Sequence, residues 1–165
     1  MKTLILVRHA KSSWGDAGEA DIDRPLNDRG KKDAPQMAER LKEKGIKVDA
    51  FVSSTAKRAK RTARFFAEEF KKDKEDIQLV EDLYLPSVDK IYNAITGLND
   101  KANVVAIFSH NPGITEFVNT LTSVRIDDMP TCGMFAVQVN TNNWAAFKEA
   151  EKSFLFFDYP KNPLG

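Results

Sequence analysis

A single cysteine, Cys132, in 165 residues excludes an intramolecular disulfide framework and suits a reducing compartment. No apolar run approaches the ~20 residues of a membrane helix, and the run near the start is too short for a signal-peptide core and is broken by Arg8. The expected setting is therefore the cytoplasm, with no membrane partner. Charge of one sign is also lacking: 25 basic residues face 24 acidic ones, a net charge of +1, so no global field recruits nucleic acid. Any attraction for anions has to be local. No Gly-x-x-x-x-Gly-Lys loop exists to cradle a nucleotide. The chain holds only two histidines, neither with a third His or Cys nearby, so no zinc site and no cofactor are expected. Repeats, low-complexity tracts and linker-like shifts are missing too, which reads as one domain over residues 1–165.

What is present is organised around the first strand. Leu4, Ile5, Leu6 and Val7 form an unbroken apolar run, the pattern of a strand buried on both faces of a parallel sheet, and Arg8 and His9 follow it directly. Ligands of open α/β sheets bind beyond the carboxyl ends of the strands. A guanidinium fork can grip two phosphoryl oxygens there, and a neutral ring nitrogen can attack phosphorus. Taken alone, such a pair is more often a strand end meeting solvent.

The rest of the chain shifts that balance. Val48 to Val52 reads as a second buried strand, and Ser53, Ser54 or Thr55 can cap the helix after it, whose inner face carries Ala59, Thr62, Ala63, Phe66 and Phe70. Arg58 falls in the first turn of that helix, whose free N–H groups favour anions. Composition alone would make Arg58 one solvated member of a basic run, and its position in the turn singles it out. Asn103 to Phe108 is a further buried strand, followed by Ser109-His110-Asn111-Pro112-Gly113, with Asn111 suited to cap a helix and Pro112 to begin it. Both histidines thus stand at strand tips that a parallel sheet brings to one edge.

Between these landmarks, Gly15 to Arg24 reads as a polar loop at the rim of the site. Asn27 can cap a helix running towards Gly45, with a kink or a restart expected near Asp33 and Ala34 because of Pro35. Ile77 to Val80 reads as a strand, and Ser87 can cap a short helix ended by Gly97. The C-terminal part is β-rich: Met134 to Val139, Ala145 to Glu149 as an edge strand, and Ser153 to Phe157, joined by short connections that imply antiparallel pairing. The fold class is α/β, a three-layer α/β/α sandwich with a mostly parallel central sheet and antiparallel C-terminal strands.

Arg8-His9-Ala10, then Ser54-x-x-x-Arg58-Ala59-x-x-Thr62, then His110-Asn111-Pro112-Gly113 resemble, in that order, the histidine phosphatase superfamily and its phosphoglycerate-mutase-like fold. The small size, with Asp23-Arg24-Pro25-Leu26, Arg29-Gly30 and Asp33-Ala34-Pro35, looks more narrowly like the SixA-type phosphohistidine phosphatases. The resemblance implies that His9 is the nucleophile that becomes phosphorylated, that Arg8 and Arg58 hold the phosphate oxygens, and that His110 completes the pocket. Ser12 and Asn111, close behind the two histidines, are the candidate substrate-binding residues. Larger members carry a glutamate as general acid on a region inserted after the second arginine. Here that region is short, and Glu81 and Asp82 are the nearest candidates in sequence without a clear version of that motif. Gly15 falls where many relatives have an asparagine that helps hold phosphate.

Competing chemistries fail on residues. Cys132 has Gln138 six positions on where a cysteine phosphatase would need arginine, and Asp21-x-Asp23 does not follow a buried strand as an aspartate-based phosphatase would require. The expected function is hydrolysis of phosphohistidine, carried by a protein substrate, through a covalent intermediate on His9 and without a metal. A phosphatase of a small phosphorylated metabolite or nucleotide is the alternative within the enzyme class. A phosphate-binding module without turnover is the alternative outside it.

Overall fold

A computed structural model describes residues 1–14 and 16–163. Gly15 lies outside the described residues, as do the last two. Six strands form one sheet: β1 (Lys2–Arg8), β2 (Ala50–Ser53), β3 (Gln78–Leu79), β4 (Val104–Ser109), β5 (Met134–Val139) and β6 (Lys152–Asp158). Their spatial order is β3-β2-β4-β1-β5-β6. The first four in that order are parallel, and β5 and β6 are antiparallel to their neighbours. β1 and β4 thus lie at the centre, which explains their uninterrupted apolar sequences: Leu4 to Val7 and Val105 to Phe108 are all fully buried. Burying each such large side chain contributes about 1.5–3 kcal/mol relative to exposure.

Helices cover both faces. On one side α1 (Asp28–Glu43) and α2 (Lys57–Glu69) pack over Ile5, Val7, Phe51 and Phe108. On the other, α3 (Val88–Thr96) and α4 (Gly113–Val118) pack with Trp144 and Phe147 over Leu4, Leu6, Val105 and Ile107. The period-2 alternation of β1 therefore feeds two separate cores, giving the α/β/α sandwich.

Several local expectations need correction. α1 is one continuous helix through Pro35, with no restart near Asp33 and Ala34. Proline removes one helical N–H, but Ala34, Met37, Ala38 and Leu41 are all fully buried on both sides of it and hold the helix to the sheet. The helix ends as expected at Gly45, whose φ of +79° suits glycine. β2 begins at Ala50 rather than Val48, and β3 keeps only two exposed residues. None of Ser53, Ser54 or Thr55 is the N-cap of α2; that position is Ala56, and the Ser54 hydroxyl accepts the Ala56 N–H instead. Pro112, not Asn111, precedes α4. Residues 145–149 form no strand, because the Asn143 side chain caps a 3-10 turn over Trp144–Ala146 and the Trp144 indole N–H donates to the Ala102 carbonyl.

Two close backbone approaches fix the chain beyond the strand tips. A Cβ on Gly30 would stand 2.1 Å from the Lys11 carbonyl oxygen, and one on Gly113 would stand 2.1 Å from that of Pro86. Both positions need glycine for lack of room.

Candidate active site

The sheet register places the two histidines. Arg8 is paired with Ser109 across β1 and β4, so His9 and His110, each the next residue, emerge side by side. The His9 N–H donates to the Ser109 carbonyl at 3.1 Å, and the two rings lie 5.1 Å apart between centroids. The Nδ1 atom of His9 is 2.7 Å from the Ala10 carbonyl oxygen, so Nδ1 carries the proton and Nε2 keeps its lone pair. His110 Nε2 is 2.7 Å from the Ser54 hydroxyl. That hydroxyl also accepts the Ala56 N–H, so the Ser54 side chain ties the His110 ring to the turn that opens α2.

Two arginines converge on the same point. Arg8 donates from Nη1 to the Met129 carbonyl at 2.8 Å, and among the described residues its buried Nε has no partner, nor has His110 Nδ1. Arg58 is almost wholly buried and donates to the Asp21 backbone carbonyl and carboxylate at 2.7 and 3.0 Å. The same carboxylate accepts from the Tyr84 hydroxyl at 2.5 Å and from Arg24, while the Tyr84 ring stands edge-on to His110 at 5.4 Å. Arg24 also donates to the Ser12 hydroxyl and the Ser13 carbonyl, and its guanidinium lies 4.1 Å from the ring centre of exposed Trp14.

Electrostatics follow from this crowding. Burial first, and then the cations Arg58, Arg8 and Arg24, push the His9 pKa down to about 3 despite the bond to Ala10. Burial also drives His110 far below its ordinary value, helped by His9 and Arg58. Both rings are therefore neutral at physiological pH. The Asp21 carboxyl is held below the usual carboxylate range, chiefly by the Tyr84 hydroxyl and then by Arg24 and Arg58, so it remains an anion. A neutral ring nitrogen of His9 thus stands near two guanidiniums and two buried nitrogens, Arg8 Nε and His110 Nδ1, that have no partner among the described residues. Guanidiniums so arranged are chemically able to receive the oxygens of a phosphoryl group.

The model for the histidine phosphatase superfamily, branch 1, matches residues 4–84, the span that contributes Arg8, His9, Asp21 and Arg58. Over that span, about half of its length, the chain matches the histidine phosphatase superfamily. Among curated relatives of this histidine phosphatase, the mitochondrial serine/threonine-protein phosphatase Pgam5 of Drosophila ananassae is 42% identical over 74 residues, which cover 45% of this chain and 25% of that one. The chain thus spans about a quarter of the length of that relative. Solved structures share the fold along nearly the whole chain. The protein histidine phosphatase SixA complexed with tungstate superposes with a TM-score of 0.80 at 19% identity, covering 96% of this chain and 97% of that one. Mycobacterial glucosyl-3-phosphoglycerate phosphatase gives 0.68 at 12% identity, with coverage of 93% and 96%.

Within this histidine phosphatase fold, Arg8, His9, Arg58 and His110 are brought together. The other expected residues are not all free to meet a substrate. Ser12 accepts from Arg24 and is bridged to Leu26, a position at the rim. The Asn111 amide donates to Asp128 and to the Met129 carbonyl, and its oxygen accepts from Thr115. Its side chain thereby secures the carbonyl that receives Arg8. Glu81 and Asp82 sit exposed on a 3-10 turn, and no described contact joins either to the arginines or histidines. Asp21 and Tyr84 are the residues that sequence reasoning missed. The signal for Asp21 was the polar loop from 15 to 24, read as a rim, where Asp21-x-Asp23 was weighed only as an aspartate-based alternative; Tyr84 had none. Among the described residues no group of three His, Cys, Asp or Glu side chains could hold a metal ion, and no helix is long and apolar enough to cross a membrane.

Proposed function

We propose that the protein is a phosphatase that hydrolyses phosphohistidine on a protein substrate through a covalent intermediate on His9. Arg8, Arg58 and His110 surround the phosphoryl oxygens, and the His9 Nε2 lone pair attacks phosphorus. The P–N bond of the substrate breaks, and its ring, protonated on the other nitrogen, leaves as neutral imidazole. The His9 Nδ1 proton held by Ala10 puts the phosphorylated His9 in the same activated form. Water then attacks phosphorus, inorganic phosphate departs, and His9 returns neutral. Arginines spread over the equatorial oxygens offset charge in both steps.

The observation that carries this reading is the state of Asp21. It is the carboxylate bonded into the site, and its neighbours keep it ionised, so it has no proton to give. An alkoxide leaving from a sugar phosphate needs a general acid, typically worth ~10²–10⁴-fold. Imidazole, whose conjugate acid has a pKa of about 6.5, leaves without one.

Values of kcat/KM for a phosphohistidine protein, an aryl phosphate and several sugar phosphates test the proposal side by side. The expected order places the phosphohistidine protein first and alkyl phosphates last. A sugar phosphate in first place, with its turnover removed by Glu81→Gln or Asp82→Asn, would overturn the assignment in favour of a metabolite phosphatase.

A further inference from the structure

A second concave surface lies beside the active site and contributes nothing to the chemistry derived above. It is a groove of about 650 Å³ between α2 and the open edge of the sheet at β3. Lys57, Lys60, Arg61 and Arg64 of α2 line it, joined by Lys31 and Lys74 from neighbouring segments. Glu75 is the single acid among its walls, while Leu26, Ile77 and Leu79 supply apolar surface. Leu79 is half-exposed, a large apolar side chain left open on an edge strand.

Two groove residues are tied by the backbone to the catalytic rim. Lys57 precedes Arg58, and Leu26 is bridged to Ser12, which Arg24 holds at the mouth of the site. The fixed charges on α2 have little local neutralisation. Arg64 approaches Glu68 at 3.8 Å, Arg61 lies over the Phe65 ring, and no ion pair is described for Lys57 or Lys60. A near-neutral protein has thus gathered six cations around one apolar-floored channel, although its total charge is only +1.

We propose that this groove docks an acidic surface segment of the phosphoprotein substrate, presenting carboxylates to the α2 cations and an apolar side chain to Leu79 and Ile77. This rests on the reading of the enzyme as a protein phosphohistidine phosphatase. Charge complementarity selects an acidic partner, and the apolar floor beside a strand edge suits a polypeptide better than a nucleic acid backbone. Docking beside the rim would hold the modified residue over His9 and raise its effective concentration there.

The test uses the variant Lys60→Gln/Arg61→Gln/Arg64→Gln and its charge-reversed Glu counterpart, none of which touches the phosphate-binding groups. Turnover of an aryl phosphate and of free phosphohistidine is expected to stay within about twofold of wild type, which also reports an intact fold. On an acidic phosphotransfer protein carrying phosphohistidine, kcat/KM should fall about tenfold or more through KM, and wild type but not the variants should weaken steeply with added salt. Binding of the same protein without its phosphate, followed by fluorescence anisotropy, reports docking apart from turnover. Equal binding by wild type and variants overturns the groove, as does tighter binding of an RNA or DNA oligonucleotide than of the acidic protein. Wild type that binds the protein through the groove yet leaves its phosphohistidine intact refutes the substrate reading and leaves the docking surface standing.

Discussion

The hydroxyl of Thr62 accepts the Ala10 N–H at 2.9 Å and donates to the Arg58 carbonyl at 2.8 Å. One buried side chain on α2 therefore ties the segment after His9 to the turn that carries Arg58. Replacing Thr62 by valine keeps the shape and strands the Ala10 donor, a cost of about 1–3 kcal/mol. Chemical denaturation should show that loss, and kcat should fall about tenfold as His9 and Arg58 lose their mutual register. Thr62→Ser should restore both.

His9→Ala should leave the protein folded and lower turnover by about 10³-fold or more, since no other group can supply the attacking lone pair. Quenching without acid should trap acid-labile phosphate on His9 in the wild type. Label on His110, Ser12 or Ser13 would contradict the assignment.

Arg58→Lys should cost nearly as much as Arg58→Ala, about 10²-fold or more, because a point ammonium cannot span both Asp21 and a phosphoryl oxygen. Activity should persist in chelator and be inhibited by vanadate, which occupies the same donors. Inactivation by chelator with recovery on adding zinc or magnesium would refute a site built from arginines.

The histidines also make a pH prediction with a definite sign. In the unfolded chain they bind protons below about pH 6.5, whereas folded His9 resists protonation down to about 3 and His110 is depressed as well. Between those values the unfolded state binds more protons, so stability is present above about pH 6.5 and is lost as pH falls towards 3. The slope approaches about 1.4 kcal/mol per pH unit for each ring at most. Urea titrations from pH 7 to 5 should show it, and His9→Gln should remove about half.

How far the site could be read in advance depended on what each residue type encodes. His9 and His110 end apolar runs that read as buried parallel strands, so their place at one edge of the sheet was legible in the sequence, whereas the β1–β4 pairing that sets them side by side was not. Arg58 was placed by its helix turn. Asp21 was not, because it lies in a polar loop with no periodicity, and its partners Arg58 and Tyr84 are 37 and 63 residues away. Asn111 matched a helix-capping pattern, yet Thr115 and the Met129 segment took its polar atoms instead. Residues 145–149 carried enough apolar character for a strand, but the Asn143 cap and the Trp144 indole bond won locally. Pro35 shows the reverse case, a local breaker overridden by the packed residues on either side of it.

The stacking of Trp14 on Arg24 gives the protein a built-in optical reporter. Of its two tryptophans, Trp14 is 83% exposed at the mouth of the site, whereas Trp144 is fully buried and lies beside Lys2, at the opposite end of β1, about 20 Å away by strand rise. Their emission therefore separates by environment: a red-shifted, iodide-quenchable component from Trp14 and a blue, protected one from Trp144. Arg24 reaches both the indole and the Asp21 carboxylate that steadies Arg58, so an oxyanion arriving between the guanidiniums alters the red component alone, while unfolding of the sheet alters the blue. Occupancy and global stability can thus be followed in the same cuvette without a label.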